Sequence, residues 1–494
     1  MPGTSNGIYI EDESLARAVA PGQRLLLTGR VSELGKYKDT LTSLSGISAS
    51  QTCATGLELP NTALSLPLNS RQREAVESMR VSFQQQLKVT EVYNFHRGEV
   101  MLSVNGTLRV PTEDLLPGKA AAGQATKNRA RSVQARLDRK SNDLLRFGSA
   151  IPKATGVMGH NGRGQLLLVE QPLGADLAPS PGLAEPAEGM VRVVSLNLQN
   201  FFNGDGTGSG FPTERGAKSH VDFVAQASRI RSALAVMQPT LIAVQELEND
   251  GFGEYSAARS LLDLLNEAIP GKWAVVEGQN GKIGNDEITV GLFYRADILE
   301  AVDESHVLDS PPFRGLNRQP LAQLFRERAS GAQFFVAGNH LKSKSSCPDG
   351  GKNADQQDGQ GCWSPARVEA ARAVAAWVAD LARGSGTANA LILGDMNSYR
   401  REDPIRALSE SGLVDLVEHI SGLPQHSYVY RGAAGTLDYA FATKSLVNWV
   451  RLAEFWHINA GWPQRTALPQ PWLRFSDHDP IVIDLDFSQS ETSD

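Results

Sequence analysis

The chain has 494 residues, of which 41% are hydrophobic and 21% charged, a composition that is typical of globular proteins and excludes a disordered or fibrous one. Its formal net charge of −7 is unevenly divided, because residues 1–180 hold 21 basic and 16 acidic side chains whereas residues 181–494 hold 27 and 39. Taken alone, the acidic second part argues against a polyanionic substrate.

The first residues show no targeting signal. Met1 is followed by a polar and acidic stretch that lacks the basic and apolar regions of a signal peptide. Residues 7–10 (GIYI) already predict a strand, so we expect the chain to begin partway into a domain, with a segment upstream. No apolar run approaches the roughly 18 residues of a membrane span, so we predict no transmembrane helix and no membrane partner.

Residues 1–175 predict a strand-rich domain with little helix. Short strand candidates bounded by Gly, Asn or Pro occur at residues 24–31, 86–93, 99–104 and 165–169. Several strands of this kind favour one or two small barrels of the oligonucleotide-binding (OB) type.

A basic interval at residues 119–140 interrupts these strands. One interpretation is a solvated loop or helix face, and the other is a contact with a phosphate backbone, which needs clustered cations but no particular spacing. The basic side chains of this interval include Lys127, Arg129, Arg131, Arg136 and Arg139.

A proline-rich linker is predicted at residues 176–190, and the pattern after it changes to alternating strands and helices. This alternation predicts a layered α/β domain over residues 191–487 and a polar tail at residues 488–494. Strands are expected at residues 191–198, 241–246, 290–294, 334–340, 391–394, 437–441 and 480–484. Helices are expected at residues 224–237, 255–268 and 364–381, the last with Ser364 as its N-cap and Pro365 at its first position.

Two of the three cysteines, Cys347 and Cys362, flank fourteen residues rich in Gly, Asp, Asn and Gln, which suits a surface loop. A disulfide there would close a loop of about 15 residues and contribute roughly 3 kcal/mol in the chain-entropy account. Their spacing is equally compatible with two buried thiols of a cytosolic protein. Cys53 is left over, and we expect its partner upstream of Met1.

Polar side chains recur where apolar strands are expected to end. They are Asn197, Glu246, Asn339, His340, Asp395, Asn397, Asp438, Asp477 and His478. Each alone is more often a helix cap or a core histidine, but so many at successive strand ends are improbable by chance. Since open α/β sheets bind ligands at their strand ends, we expect these side chains to converge. Such oxygen ligands suit Mg²⁺, Mn²⁺ or Ca²⁺, and without CxxC or HExxH patterns the sequence argues against a structural or protease-type zinc site.

The segments that carry these residues resemble, in sequence and order, the motifs of the endonuclease/exonuclease/phosphatase superfamily, whose best-known member is the pancreatic-type deoxyribonuclease. They are residues 195–201 (SLNLQNF), 245–251 (QELENDG), 339–343 (NHLKS), 394–397 (GDMN), 437–439 (LDY) and 476–480 (SDHDP). The similarity covers roughly residues 190–487.

Other segments resemble the bacterial secreted-endonuclease branch of that superfamily. They are residues 342–344 (KSK), the two cysteines with residues 358–363 (DGQGCW), a turn at 403–405 (DPI), and 456–460 (WHINA). Upstream, residues 94–99 (NFHRGE) and 111–113 (PTE) look like the OB-type region of the same branch. The loop at residues 203–211 departs from the branch because it has no cysteines.

The resemblance implies an α/β fold, a four-layered sandwich of two mixed β-sheets flanked by helices and preceded by the OB-like domain. It further implies a bound divalent cation with Glu246 as its principal ligand and Asn197 and Asp477 beside it. Mg²⁺ or Mn²⁺ is the expected ion, and Ca²⁺ is an alternative structural or co-activating one.

The resemblance also assigns roles at the phosphate. His478 is expected to pair with Asp438, while Asp395 and Asn397 position or deprotonate the attacking water. His340 is expected to contact the scissile phosphate or to protonate the leaving group.

Asp286 is the expected partner of His340, with the neighbouring Glu287 as the alternative. Which histidine is the base and which the acid stays open. Substrate contacts are expected from Arg215, Asn339 and Lys342.

By the same resemblance, Cys347 and Cys362 form a disulfide. The predicted function is a metal-dependent endonuclease that cleaves DNA, with RNA left open as an alternative substrate, acting as a monomer in an extracellular or periplasmic location. The rival predictions are a phosphatase or phosphodiesterase acting on lipid head groups or small phosphates, and a catalytically inactive nucleic-acid-binding module.

Overall fold

The chain folds into a strand-rich N-terminal region and a layered α/β region. A computed structural model describes residues 5–36, 39–137, 144–160, 165–177, 182–278, 281–422, 424–464 and 467–488. Arg139 and Lys140 of the basic interval lie outside these ranges. So do most prolines of the predicted linker and most of the predicted polar tail.

The N-terminal region is built mostly from strands. Its strands are β1 Tyr9–Glu11, β2 Arg24–Lys36, β3 Asp39–Ala54, β4 Thr62–Leu64, β5 Arg80–Phe83, β6 Leu87–Glu91, β7 Glu99–Val104, β8 Leu108–Arg109, β9 Ser132–Arg136, β10 Ala150–Ile151, β11 Ala154–His160 and β12 Gln165–Val169. Its helices are α1 Glu13–Ala18, α2 Ser70–Glu74, α3 Pro111–Asp114 and α4 Lys119–Ala130. Eight strands form one sheet, in the order β10-β6-β7-β9-β12-β11-β5-β4, over their own apolar core. The strand-rich prediction is confirmed, and the OB-type barrel stays a prediction.

The described part of the basic interval, residues 119–137, forms α4 and β9. Arg131 donates to the Val104 carbonyl at 2.8 Å, and Arg136 pairs with Glu99, so these two cations have partners within the protein. Lys127 and Arg129 are exposed on α4, as the solvated-helix interpretation expects. A phosphate contact at this face stays a prediction.

The α/β region alternates strands with helices. Its strands are β13 Val191–Phe201, β14 Leu241–Glu248, β15 Trp273–Val275, β16 Ile288–Arg295, β17 Leu299–Val307, β18 Leu321–Glu327, β19 Gln333–His340, β20 Ala390–Asp395, β21 Val414–Asp415, β22 Tyr428–Tyr430, β23 Ala433–Gly435, β24 Asp438–Ala442, β25 Val450–Phe455 and β26 Ile481–Leu485. Its helices are α5 His220–Met237, α6 Ala257–Ala268, α7 Ser364–Ser385, α8 Asp403–Glu410, α9 Leu416–Ser421 and α10 Lys444–Val447.

Two mixed six-stranded sheets face each other across an apolar core. Their strand orders are β15-β16-β14-β13-β26-β25 and β17-β18-β19-β20-β24-β21. Successive residues of β14 point to opposite faces of the sheet. Leu241 and Ala243 lie in the core between the two sheets, whereas Ile242 and Val244 lie in the core under helices α5 and α6. Helices α7 and α8 cover the other sheet in the same way. Apolar residues on both faces explain the near-continuous apolar runs of these strands.

Two predicted local features of this region are wrong. Ser364 is the first residue of α7, and the N-cap position is taken by Trp363, whose φ is 66°. The Ser364 hydroxyl donates to Gln360 Oε1 at 3.1 Å. Residues 403–405 form the first turn of α8 rather than an isolated turn, since Pro404 fits the start of a helix.

The predicted disulfide between Cys347 and Cys362 is confirmed, with their Cα atoms 5.5 Å apart. Cys53 is exposed and free within the part of the chain that is described, so a partner upstream stays a prediction. Every described helix is too short or too polar to cross a membrane.

Direct contacts join the N-terminal and α/β regions. Strand β8 pairs in parallel with β23. Beside this pair, the wholly buried Glu113 accepts the backbone N–H of Thr436 at 2.7 Å and lies 3.8 Å from the buried Arg400. The contact between the two regions therefore includes a buried carboxylate that holds the chain just before β24.

Replacing Glu113 by Ala should lower the free energy of unfolding by about 2–3 kcal/mol, because a buried N–H loses its acceptor and a buried guanidinium loses one of its carboxylates. Urea unfolding followed by tryptophan fluorescence measures the change. The control is Glu13→Ala, which removes only an exposed pair with Arg17 and should leave the midpoint unchanged. Equal midpoints for both variants would contradict the importance of this contact.

Candidate active site

The two sheets bring most of the predicted polar residues to one edge. His340 and Asp395 end the parallel strands β19 and β20 and are paired in register. Asp438 opens β24, however, and Asp477 and His478 precede β26, so the prediction that these three follow strands is wrong. They reach the same edge because β24 and β26 are antiparallel to β20 and β13, which places amino ends beside carboxyl ends.

A β-bulge aims Glu246 at the site. Between Val244 and Leu247, β14 has one residue more than its partner β16, and Glu246 takes a φ of 61° there. The pairing of β13 with β14 also becomes irregular after Asn197. Bulges beside active sites redirect side chains, and here Asn197 Nδ2 donates to Glu246 Oε1 at 3.3 Å.

A buried histidine–carboxylate pair lies next to this bulge. His478 Nδ1 is 2.7 Å from Asp438 Oδ2, and the two side chains are 9% and 4% exposed. Burial disfavours the charged imidazole, but the carboxylates of Asp438 and Asp395 outweigh it and raise the pKa of His478 well above its usual value. The pair matches the one that the sequence predicts.

Asp395 is held by amide groups on both sides. Its Oδ1 accepts the backbone N–H of Asn397 at 2.7 Å, and its Oδ2 accepts from Asn397 Nδ2 at 3.2 Å and from Asn197 Nδ2 at 3.4 Å. Burial raises the pKa of Asp395 to about 7, although the positive charge of His478 acts in the opposite direction.

The predicted pairing of His340 with Asp286 is wrong. Asp286 accepts from Arg318 Nε at 3.0 Å and pairs with Arg215 at 3.2 Å, because two guanidinium groups are stronger partners than one imidazole. His340 Nδ1 is buried and has no hydrogen-bond partner among the described residues, which also excludes the alternative Glu287. Burial, and then the Arg318 charge, lower the pKa of His340 well below its usual value.

His340 nevertheless belongs to the site. Its Nε2 lies 3.5 Å from Asp395 Oδ2, and the side chain is 2% exposed. The structure thus places each predicted histidine beside one of two facing carboxylates, His340 beside Asp395 and His478 beside Asp438.

The three predicted substrate contacts are placed differently. Arg215 is 38% exposed and shares Asp286 with Arg318. Lys342 is half-buried with its ammonium 5.2 Å from the centre of the Trp363 ring. Asn339 is wholly buried and its Nδ2 donates to a backbone carbonyl, so a direct substrate contact at this residue stays a prediction.

Residues that the sequence did not single out support these groups. Arg318 donates to Asp286, Ser427 Oγ accepts the backbone N–H of Asp438 at 3.2 Å, and the Tyr428 ring lies 4.6 Å from the His478 ring. Arg318 stands before β18 and Ser427 before β22, so attention to strand beginnings as well as strand ends would have found them.

Asn459 fixes the loop that carries Asp477 and His478. It is wholly buried; its Oδ1 accepts the backbone N–H of Phe475 at 3.1 Å, and its Nδ2 donates to the carbonyl of His478 at 2.7 Å. One amide therefore spans the loop, which gives the segment 456–460 a physical role.

The carboxylate oxygens of Glu246 and Asp477 suit a hard divalent cation. Asn197 lies beside them, but its Oδ1 accepts the backbone N–H of Gln199 at 2.9 Å and its Nδ2 faces Glu246. Burial raises the pKa of Glu246, and the negative charge of Asp477 raises it further, so the two carboxylates repel each other. A cation between them would remove this repulsion, and carboxylate and amide oxygens are the ligands that Mg²⁺ and Mn²⁺ accept. Ligand atoms of Asp395, Asp438 and His478 also lie within 4.8 Å of one another, although His478 Nδ1 already pairs with Asp438.

Residues 194–478 match the endonuclease/exonuclease/phosphatase family, a span that contains every residue of the site. The chain belongs to this family. Its members include nucleases, phosphatases and phosphodiesterases, which typically hydrolyse phosphoester bonds with a divalent metal. The predicted endonuclease/exonuclease/phosphatase membership is confirmed, and the secreted bacterial branch stays a prediction. No curated protein matches the chain.

Solved structures of the endonuclease/exonuclease/phosphatase fold resemble the chain over about three fifths of its length. A family protein from Bacteroides vulgatus is 17% identical with a TM-score of 0.42, and the match covers 60% of this chain and 98% of that one. The human Nocturnin catalytic domain with bound sulfate is 17% identical, with a TM-score of 0.41 and coverages of 61% and 95%. A mannosyl-6-phosphatase from Bacteroides thetaiotaomicron is 20% identical, with a TM-score of 0.40 and coverages of 60% and 99%. Likenesses this distant carry no argument about substrate.

Replacing His478 by Ala should lower turnover of a chromogenic phosphodiester about 10²–10⁴-fold, because proton transfer at the site loses its imidazole. Stopped-flow or steady-state absorbance gives the rate, and circular dichroism checks that the variant is folded. The matched control is His419→Ala at an exposed position of α9, which should keep wild-type turnover. A folded His478→Ala protein with turnover near wild type would remove this histidine from the reaction.

Proposed function

We propose that the chain is a divalent-metal-dependent nuclease that hydrolyses phosphodiester bonds of DNA, with RNA as a second substrate, and acts as an endonuclease. The observation that supports this most is the buried His478–Asp438 pair beside Asp395, at the edge where Glu246 and Asn197 meet. Membership of the family accounts for the hydrolysis of a phosphoester bond, and the choice of DNA as the substrate is what we propose.

The metal would be held by Glu246 and Asp477, and Asn197 would steady Glu246 through its side-chain amide. When bound, Mg²⁺ or Mn²⁺ supplies charge stabilisation to the phosphoryl oxygens and the leaving oxygen. Asn197 also donates to both Glu246 and Asp395, so the metal ligands and the proton-transfer groups keep a fixed mutual position.

Proton transfer is assigned to the other face of the site. Asp438 holds His478 through Nδ1, which fixes the ring orientation and leaves Nε2 to exchange a proton with the attacking water or the leaving oxygen. Asp395 orients the water with Asn397, whose backbone N–H and side-chain amide both bind that carboxylate. His340 lies against Asp395, and its assigned role is to contact the scissile phosphate or to protonate the leaving group.

Cations at the rim favour an anionic substrate. Arg215 and Arg318 converge on Asp286, and each keeps guanidinium N–H groups beyond the single carboxylate that they share. A polymer is favoured over a small ester because residues 1–180 carry the excess of basic side chains. The confirmed disulfide supports an extracellular or periplasmic location, since such bonds persist in oxidising compartments.

One gel separates this proposal from a phosphatase acting on small or lipid phosphates. Purified protein is incubated with closed circular plasmid, linear DNA and RNA, each with Mg²⁺ and with EDTA. Nicking of closed circles only in the presence of metal is the expected result, because an endonuclease needs no free end. Release of phosphate from small esters with every polymer left intact would overturn the proposal in favour of the phosphatase.

Glu246→Gln should lower nicking at low Mg²⁺, because an amide is a weaker metal ligand than a carboxylate, and excess Mg²⁺ or Mn²⁺ should partly restore it. Metal titration of the nicking rate measures the shift. Glu248→Gln, on the same strand but bound to the backbone N–H of Asn203, is the matched control and should keep the wild-type metal requirement. An identical metal dependence in both variants would contradict the assigned ligand.

A further inference from the structure

A second cluster of side chains of the metal-ligating type lies next to the active site, and one of its members is on the loop that carries Asp477 and His478. It consists of His426, His457 and Asp479, and one ligand atom from each lies within 4.8 Å of the others. Three separate loops supply these residues, before β22, after β25 and before β26. The phosphoester chemistry described above uses none of them.

Asp479 is oriented as a ligand would be. Its Oδ1 accepts the backbone N–H groups of Asn459 at 2.7 Å and Ala460 at 3.0 Å, which leaves Oδ2 pointing at His457 Nδ1, 2.9 Å away. The carboxylate is 0% exposed and the His457 side chain 30% exposed, so the pair has one buried side and one side open to solvent. Hydrogen bonds that hold a liganding carboxylate in place are a regular feature of metal sites.

His426 completes the set with an uncommitted imidazole. Its ring stacks on that of His457, with centroids 4.2 Å apart and planes inclined by 13°. Neither of its ring nitrogens makes a hydrogen bond to any described residue. Ligand atoms of the three side chains already lie within 4.8 Å of one another, and the χ2 torsion of histidine is broad enough for the two rings to adjust to an ion.

The cluster also touches the N-terminal region. The Phe147 ring lies 5.1 Å from the His426 ring, and the Phe147 backbone N–H donates to the Gly461 carbonyl at 2.9 Å. Arg146, the adjacent cation, lies over the Trp462 ring at 4.6 Å, and its charge also interacts with that of Asp479. An apolar ring and an aromatic-bound cation therefore cover one flank of the cluster.

We propose that His426, His457 and Asp479 bind a borderline-soft divalent cation of the zinc type, separate from the cation of the active site. Two imidazole nitrogens and one carboxylate suit Zn²⁺ or Co²⁺ better than Mg²⁺, and water completes the sphere on the exposed side. The bound ion joins three loops. One of these leads into Tyr428 at the start of β22 and another carries His478, and the rings of these two residues contact each other. The ion thereby braces the rear of the active site.

Co²⁺ titration of the full, tag-free chain tests this site in excess Mg²⁺, which occupies oxygen-rich sites. A visible d–d spectrum that saturates at one equivalent and is displaced by Zn²⁺ is the expected result. His426→Gln and His457→Gln should each weaken Co²⁺ binding at least tenfold. Glu246→Gln and the exposed control His419→Gln should bind Co²⁺ as the wild type does.

Two outcomes would overturn the proposal. One is unchanged Co²⁺ affinity in both histidine variants, and the other is loss of the spectrum in Glu246→Gln alone, which would place the ion in the active site. A measurement on the wild-type protein tests the site even where the histidine variants do not fold. Zn²⁺ should protect His426 and His457 from diethyl pyrocarbonate, read by peptide mass mapping, and equal modification of both with and without Zn²⁺ would count against the site.

Discussion

The burial of Asp395 directly opposite Asp438 on paired strands is the constraint on which the rest of the site depends. Two carboxylates that face each other away from water cannot both be ionised at low cost, so compensating groups have to surround them. His478 supplies the compensating charge at Asp438, and amide groups of Asn197 and Asn397 hydrogen-bond to Asp395. Removing any one of these groups alters the protonation of the others, so the site acts as a unit.

Backbone devices keep these groups in register. Antiparallel pairing brings Asp438 to the end of β20, and the bulge in β14 takes Glu246 out of the alternation that buries its neighbours. Ser427 then binds the backbone N–H of Asp438, while Asn459 spans the loop before β26. Rigid sheets position the strand-borne residues, and single polar side chains position the loop-borne ones, because loops lack a ladder of backbone hydrogen bonds.

The sequence predicts the order of strands and helices well, since apolar runs buried on both faces and polar residues at their ends are local patterns. Pairings that depend on competition are not local. The Asp286 carboxylate is a chemically suitable partner for the His340 imidazole, but it forms ion pairs with Arg215 and Arg318 instead, and both are distant from it in the sequence.

Metal-site patterns show the same limit. CxxC and HExxH depend on ligands that share one turn or helix, so their absence says nothing about ligands brought together by three loops. His426, His457 and Asp479 are 31 and 22 residues apart, and each has an ordinary local context. Only the meeting of these loops behind β26 makes them a set, which is why the argument against zinc from sequence does not extend to this cluster.

The contacts of the N-terminal region change the meaning of the uneven charge. Glu113 holds Thr436, two residues before Asp438, and Phe147 lies on His426, two residues before Tyr428. The positively charged part of the chain is therefore fixed against the segment between β22 and β24, which borders the site. Net charge averages over a whole domain, whereas a polyanion responds to the charges within about 10 Å of its path. Some carboxylates of the acidic part are buried at the site, Asp438 against His478 and Asp395 among amide groups. The acidity of residues 181–494 is therefore not all presented to a polyanion that approaches from the side of the basic region.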